Sequence, residues 1–330
     1  MAVIRDIAEK AGVSTAAVSI ALHGGSGRTR VSADKTKLIR KIANELNYRL
    51  NSAARMMSSS RTGQIGVLLR NSPDAPMCNP ANFETVLGIG EELSNMGYVQ
   101  MLVPLAGIKK GIKGSNRIFS EQLLDGIIVM DAHQSSLYSF VKRNFQHFIF
   151  LETNSWYRTS CLRRDDRKTG MLAAKAMIDS GYRRIIYLGP ERSSSMHFSV
   201  LERHEGVLET ASGRSVDFDS MEISDDKDIE LLKKEIKADT GFICYDTLLA
   251  RKLHMMMSES GLLPPRDYGL VCCDDTHETG LVFPSLSRIG NDRYETGRLA
   301  ARMLVDSIQD VKPMTSRLID VSFIKGNTIK

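Results

Sequence analysis

Thr15, Ala16, Ser19 and Ile20 fall on one side of a short helix-forming stretch that begins after Ser14. Side chains in the first turns of the second helix of a helix-turn-helix reach base edges in the major groove. Thr15 and Ser19 offer hydrogen bonds there, and Ile20 offers apolar contact to a thymine methyl. Catalytic patterns are absent. The chain holds no G-x-S-x-G, no phosphate-cradling Walker loop, no H-E-x-x-H and no metal-spaced His/Cys cluster. Asp165-Asp166 and Asp274-Asp275 are paired carboxylates in sequence only, because adjacent residues on a strand or cap point apart.

The elements that position these residues are legible. Ile4, Ile7, Ala8 and Ala11 predict a helix over 3–11, and Gly12-Val13 predicts a turn. Ser14 is placed to cap the second helix, whose Val18, Ala21 and Leu22 face inward. A glycine-rich basic loop follows over 23–30. Ser32 caps a third helix, with Leu38, Ile42 and Leu46 as its expected buried stripe. Residues 51–57 form a short helical segment capped by Asn51. It is too short to be stable alone, so it is expected to fold only when DNA or a partner subunit holds it. Met57 is then available as an apolar wedge between base steps in the minor groove; the plain alternative is a linker.

Charge supports the same reading. Of the 330 residues, 1–61 hold 11 Lys+Arg against 4 Asp+Glu, a net of +7. The remainder holds 33 against 35, a net of −2. Phosphate neutralisation needs such a localised excess. At 42% hydrophobic and 25% charged residues, the chain has the composition of a soluble globular protein. The start lacks a secretory pattern and no apolar run approaches a membrane span, so a cytoplasmic location without membrane contact is expected. Cys78, Cys161, Cys244, Cys272 and Cys273 are odd in number and irregularly spaced, and are read as reduced, mostly buried thiols.

From Gln64 the pattern alternates strand and helix. Strands are expected at 65–69, 99–103, 126–130, 148–151, 185–188, 242–245 and 269–272. Helices are expected at 83–96, 169–180, 199–212, 228–238, 247–260 and 291–309. Residues 106–119 read as a lysine- and glycine-rich loop with no clear helix until Glu121. Such alternation means parallel sheets with helices on both faces, and the length calls for two similar lobes.

The stretches 4–14 (IRDIAEKAGVS), 17–19 (AVS), 31–32 (VS), 47–48 (NY) and 51–55 (NSAAR) resemble the lactose/galactose-repressor family of bacterial transcription regulators. The core resembles it more loosely, at 125–128 (DGII), 164–166 (RDD) with Gly170, 181–185 (GYRRI), Arg203 with Gly206, 261–264 (GLLP) and 273–275 (CDD). The resemblance implies an α/β protein. Its parts would be a three-helix headpiece (1–50), a hinge helix and linker (51–60), and a two-lobed, periplasmic-binding-protein-like (type I) core of parallel sheets flanked by helices (61–330). One lobe is expected at about 61–155 and 290–316, the other at about 156–289 and 317–330, joined by three crossovers.

It further implies a homodimer on a pseudo-palindromic double-stranded operator, and no leucine-repeat tail follows to favour a tetramer. The DNA-binding set is then Ser14, Thr15, Ala16, Ser19, Ile20, Arg28, Arg30, Asn51, Arg55 and Met57. Arg203 and Asp274 match the family's effector-contacting arginine and aspartate, a pair suited to vicinal hydroxyls or a carboxylate. Trp156 either stacks on a ligand ring or packs a hinge, and Phe83, Asn79 and Asp246 complete the effector set. The implied effector is a sugar or sugar derivative, with no cofactor.

The chain departs from the family pattern at four places. Ala17 stands in place of a threonine, Ile20 in place of a polar or arginine reader, Leu50 in place of a proline, and the 23–30 loop is longer than usual. Ala16 and Ile20 donate nothing to bases, so phosphate contacts and DNA bending are expected to carry more of the recognition. The competing readings are a sugar-binding transport protein and, more remotely, an enzyme on an α/β core. Neither has a use for a basic headpiece.

Overall fold

Helix α1 (Ile4–Ala11) turns Ile7 and Ala8 inward and opens with the Asp6 carboxylate accepting from the Val3 N–H at 2.8 Å. It stops at Gly12, whose φ of 61° lies where a side chain is disfavoured, and this makes the turn. Helix α2 (Thr15–His23) follows, and Ser14 Oγ accepts from the Ala17 N–H at 3.2 Å. Helix α3 (Ala33–Glu45) is capped by Ser32, which accepts from the Lys35 N–H. The three helices close over Ile7, Val18, Ala21, Ile39, Ile42 and Ala43. One expectation is corrected here: Leu38 is 46% exposed, and Ile39, Ile42 and Ala43 form the buried stripe, with Leu46 partly buried beside them. Steps of four drift around a 3.6-residue helix, whereas 39, 42, 43 and 46 stay on one face.

This computed structural model describes residues 2–23, 31–49, 61–69, 80–104, 117–132, 135–191, 193, 196–237 and 239–330. The chain separates into two compact units, 1–63 and 64–330. The expected hinge helix at 51–60 lies outside the described residues.

The second unit begins with β1 (Gln64–Leu69), α4 (Pro80–Asn95), β2 (Val99–Pro104), α5 (Arg117–Ser120), β3 (Gly126–Met130), α6 (Ser135–Asn144), β4 (Phe148–Leu151) and β5 (Cys161–Arg164). It continues with α7 (Asp166–Asp179), β6 (Arg184–Gly189), α8 (Phe198–Ala211), β7 (Asp217–Glu222), α9 (Asp226–Leu232), β8 (Thr240–Cys244), α10 (Thr247–Glu259), β9 (Gly269–Cys272) and β10 (Ser287–Gly290). Helix α11 (Arg293–Ile308), β11 (Arg317–Ile319) and β12 (Ser322–Ile324) complete it. Two six-stranded sheets result, ordered β11-β5-β4-β3-β1-β2 and β12-β10-β9-β8-β6-β7. Pairing is parallel except for β12 against β10.

Both faces of the central strands of each sheet are apolar and covered, as parallel sheets require. Ile65, Val67 and Ile128 pack with Ala301 and Leu304 of α11, while Leu68, Ile127 and Val129 face Leu137 and Val141 of α6. In the second sheet Ile186 and Leu188 face Leu253 of α10, and Ile185 and Tyr187 face Ala173 of α7 and Val207 of α8. Each lobe also holds a glycine-mediated helix crossing. A Cβ on Gly170 of α7 would lie 2.0 Å from Arg203 O, and one on Gly206 of α8 would lie 2.0 Å from Arg167 O. Gly88 and Gly297 do the same for α4 against α11.

The expected lobe boundaries shift. Strands β5 and β11, placed in the second lobe from sequence, join the first sheet at its edge. The arginines of β5 break its apolar run and β11 has three residues, so neither announces a strand. The chain crosses between sheets at Asp165, at Asn291-Asp292 and at Asp320-Val321. Each crossing aspartate accepts a backbone N–H: from Lys168 at 2.9 Å, Glu295 at 2.8 Å and Val321 at 2.9 Å. Arg117 pairs with Glu121 across the short turn α5, where no helix was expected before Glu121. Residues 105–116 of that loop lie outside the described residues.

Candidate functional site

On α2, burial of Val18 sets the rotation that leaves Thr15 and Ala16 exposed and Ser19 and Ile20 half-buried. The Ser14 hydroxyl is engaged in capping that helix. Arg28, Arg30, Asn51, Arg55 and Met57 lie outside the described residues. Among the described residues Lys35, Lys37, Arg40, Lys41 and Arg49 add exposed positive charge on and after α3.

The carboxyl ends of strands from both sheets bring a second set of side chains together. Arg203 on α8 donates from Nε to Asp166 Oδ1 at 2.6 Å and from Nη1 to Tyr245 O at 2.5 Å. Its guanidinium stands 4.5 Å from the Tyr245 ring centroid. Asp166, which opens α7, also accepts from Arg164 Nη2 at 2.8 Å. Arg164 Nη1 reaches Asp274 Oδ1 at 2.9 Å, and Arg293 Nη2 donates to the same oxygen. Arg203, Asp166, Arg164, Asp274 and Arg293 therefore form one chain of ion pairs. Arg164 belongs to a strand of the first sheet, and α11, which carries Arg293, packs on that sheet. Asp274 follows a strand of the second.

Burial makes these charges costly unless paired. Arg164, Asp166 and Arg203 are each 5% exposed or less. Burial pushes the Asp166 carboxyl up to about 7, against the pull of Arg164. Burial acts on Asp274 too, but Arg293 and Arg164 outweigh it and hold that carboxyl below its ordinary range. Asp166 Oδ2 is buried without a hydrogen-bond partner.

Beside this chain, Asp131 after β3 and Glu152 after β4 take φ of 48° and 50°. Non-glycine residues held in that region concentrate at ligand sites. Glu152 Oε1 accepts from the Arg164 N–H at 2.8 Å, and burial raises its carboxyl. His197 Nε2 donates to Glu152 O at 3.0 Å and lies 3.8 Å from Asp131. Ser199 Oγ and Tyr245 OH are 2.7 Å apart. Asn154 donates to Met196 O at 2.8 Å and accepts from the Phe198 N–H at 2.9 Å.

The residues expected at an effector site divide accordingly. Arg203 and Asp274 join one network, linked through Asp166 and Arg164. Trp156 is 40% exposed, and the Arg163 guanidinium lies 4.6 Å from its ring and 4.3 Å from that of Phe198. Asp246 caps α10, accepting from the Leu249 N–H at 2.8 Å, so its carboxylate is committed to the helix. Phe83 is 58% exposed on α4, and Asn79 lies outside the described residues. Arg164 and Asp166 sat inside a motif that marked only the fold. Arg293, Glu152, His197 and Tyr245 carried no sequence signal beyond their positions at element ends.

No helix among the described residues is long and apolar enough to cross a membrane. The described residues contain no group of His, Cys, Asp or Glu suited to a metal ion.

Residues 3–51 match the family model for bacterial regulatory proteins of the lacI family. Residues 174–329 match the model for the periplasmic binding protein-like domain. The HTH-type transcriptional repressor PurR of Mannheimia succiniciproducens is 24% identical over 322 residues, which cover 93% of this chain and 92% of the relative. A lac repressor dimer bound to operator and an anti-inducer superposes with a TM-score of 0.79 at 19% identity, covering 99% of this chain and 98% of the other. A complex of the transcriptional regulator CelR with cellobiose superposes at 0.68 and 20% identity, covering 99% and 100%.

Proposed function

The chain belongs to the lacI family of bacterial regulatory proteins, and from that premise we infer that it is a DNA-binding transcriptional repressor controlled by a small effector. The relatives are repressors and not enzymes. The headpiece reads an operator from the exposed start of α2, with Ser14, Thr15, Ala16, Ser19 and Ile20. Arg28, Arg30, Asn51, Arg55 and Met57 complete the contact, with Met57 in the minor groove. The protein works in the cytoplasm.

The effector sits between the two sheets of the core. The observation that carries this is the chain of ion pairs from Arg203 to Arg293, which joins first-lobe arginines to the second-lobe Asp274. A ligand that engages Asp274 or Arg203 alters bonds that tie the lobes together, and so biases the core between states. Its coupling to operator affinity is on the order of 1–3 kcal/mol. The charges are paired with one another and Asp166 Oδ2 alone among their oxygens is buried without a partner, so a neutral hydroxyl that donates to it is the natural ligand chemistry, which favours a carbohydrate. The cellobiose bound by the similar CelR supports the same class.

The working unit is a homodimer. Leu248 and Met255 on α10 are 74% and 57% exposed, and Leu281 and Phe283 are 73% and 90% exposed. His254 Nε2 donates to Phe283 O at 2.9 Å, which holds that segment against α10. An apolar patch of this kind marks an interface, and a second copy fits it.

The test uses the full chain. Duplex DNA affinity is expected to fall steeply with salt, and a thermal-shift screen of sugars, sugar acids, nucleobases and sugar phosphates is expected to yield a sugar that changes operator affinity. Salt-independent binding, or sugars that shift neither melting nor DNA affinity, would overturn the reading.

A further inference from the structure

The start of α8 meets the first lobe through residues outside the ion-pair chain. Asn154, after β4, donates to Met196 O and accepts from the Phe198 N–H. His197, which caps α8, donates to Glu152 O. One turn on, Glu202 accepts from Arg163 Nη2 at 2.9 Å. Arg163 belongs to β5 and so to the first sheet, whereas α8 packs on the second.

Arg163 is held mainly by flat surfaces. Its guanidinium lies 4.6 Å from the ring of Trp156, between β4 and β5, and 4.3 Å from the ring of Phe198, which opens α8. Its Nε is buried without a hydrogen-bond partner. A guanidinium is weakly hydrated and stacks on aromatic faces, so two rings and one carboxylate hold it where an ammonium would fit poorly. Burial raises the Glu202 carboxyl against the pull of Arg163. The desolvation cost of this pair is offset only while the two lobes keep this arrangement. Opening would part Arg163 and Trp156 from Phe198 and Glu202.

We propose that Arg163 is a positioning residue for the effector response. It fixes the start of α8 against the first lobe, and with it Arg203 on the same helix. The proposal rests on the interlobe effector site inferred above. Arg163 acts through α8, since its own ion pair is with Glu202 and not with a member of the ion-pair chain.

The test uses the full chain without added sugar. Trp156 is the single tryptophan, so acrylamide quenching of its emission reports this contact. Phe198→Leu is expected to raise the quenching constant, although the change lies in the other lobe, because Arg163 loses one of its rings. Arg163→Lys keeps a charge beside Glu202 and lacks the flat group. It is expected to melt close to the parent, yet to change affinity for a duplex selected by the parent from a random pool about fivefold, the worth of two ring contacts. A role limited to charge pairing would be rescued by the lysine. Unchanged quenching in Phe198→Leu, or duplex affinity in Arg163→Lys within about twofold of the parent, overturns the proposal. If the parent binds no duplex, the function inferred above fails, and quenching in Phe198→Leu still decides whether Arg163 joins the lobes. A sugar screen without a hit leaves both measurements intact.

Discussion

Arg164 ends the first-lobe strand β5, and its Nη1 donates across the core to Asp274 Oδ1 at 2.9 Å, just after β9 of the second lobe. Arg293 donates to the same oxygen from the start of α11. The residue that family resemblance assigns to the effector is thus held by two arginines of the opposite lobe. A ligand bound at Asp274 as proposed would have to share these bonds or replace them.

The first prediction concerns acid. The folded value of Asp274 lies below its unfolded value, near 3.9. Its ionisation therefore contributes stability that is fully present above about pH 4 and is lost as pH falls through the depressed value. Asp274→Asn is expected to flatten this acid limb. At neutral pH it also leaves Arg164 and Arg293 without their shared anion, a loss of about 3–5 kcal/mol. Urea midpoints measured against pH check both effects, and parallel curves for variant and parent below pH 4 would count against the assignment.

Arg203 pairs with buried Asp166, and the proposed function gives it a part in the response as well. Arg203→Ala leaves the buried Asp166 with one cation fewer, and is expected to cost about 3–5 kcal/mol. Adding Asp166→Leu is expected to recover part of that loss, because the buried carboxyl left without its Arg203 partner is gone. Neither variant is expected to restore the effector response of DNA binding. Trp156, the single tryptophan, rests on Arg163 beside Arg164, and its emission is expected to follow a ligand bound as proposed. A double variant with normal ligand-dependent emission and normal response would remove Arg203 from the site.

Much of this architecture was legible because buried strands are apolar runs. The bounds of β3, β4 and β9 coincide with the sequence expectation, since both sheet faces there are covered. Strand β7 (DFDSME) was missed because it is a mostly exposed edge without an apolar run. Ser14 and Ser32 announced their helices because capping is a local chemistry. The ion-pair chain was not local. Arg293 meets Asp274 only because two crossovers return the chain to the first lobe, and spacing cannot report that. Asp246 looked like a ligand contact, and its capping bond to Leu249 becomes evident only once α10 is seen to begin at Thr247.

Gly206 tests the helix crossing that positions Arg203. A Cβ there meets a backbone oxygen at 2.0 Å, so α7 and α8 must separate. Gly206→Ala is expected to destabilise by about 3 kcal/mol, the upper end of overpacking costs. Gly280 has open space where its Cβ would lie, so Gly280→Ala is expected to be near neutral. Equal melting temperatures for the two variants would show that the crossing is slack.

The last prediction returns to α2. Ala16 is exposed and Ile20 half-buried, and neither side chain donates a hydrogen bond. Guanine is best selected by a bidentate donor at O6 and N7, which these positions lack. Binding is therefore expected to depend on phosphate contacts, with a steep salt slope, and on the deformability of the operator centre. Selection from a random duplex pool checks this. A flat or thymine-favouring preference opposite Ile20 is expected, and Ile20→Arg is expected to introduce guanine there, worth about 1–3 kcal/mol of discrimination. Strong guanine preference in the parent protein would mean that another residue reads that base, and the contact set assigned to α2 would then be wrong.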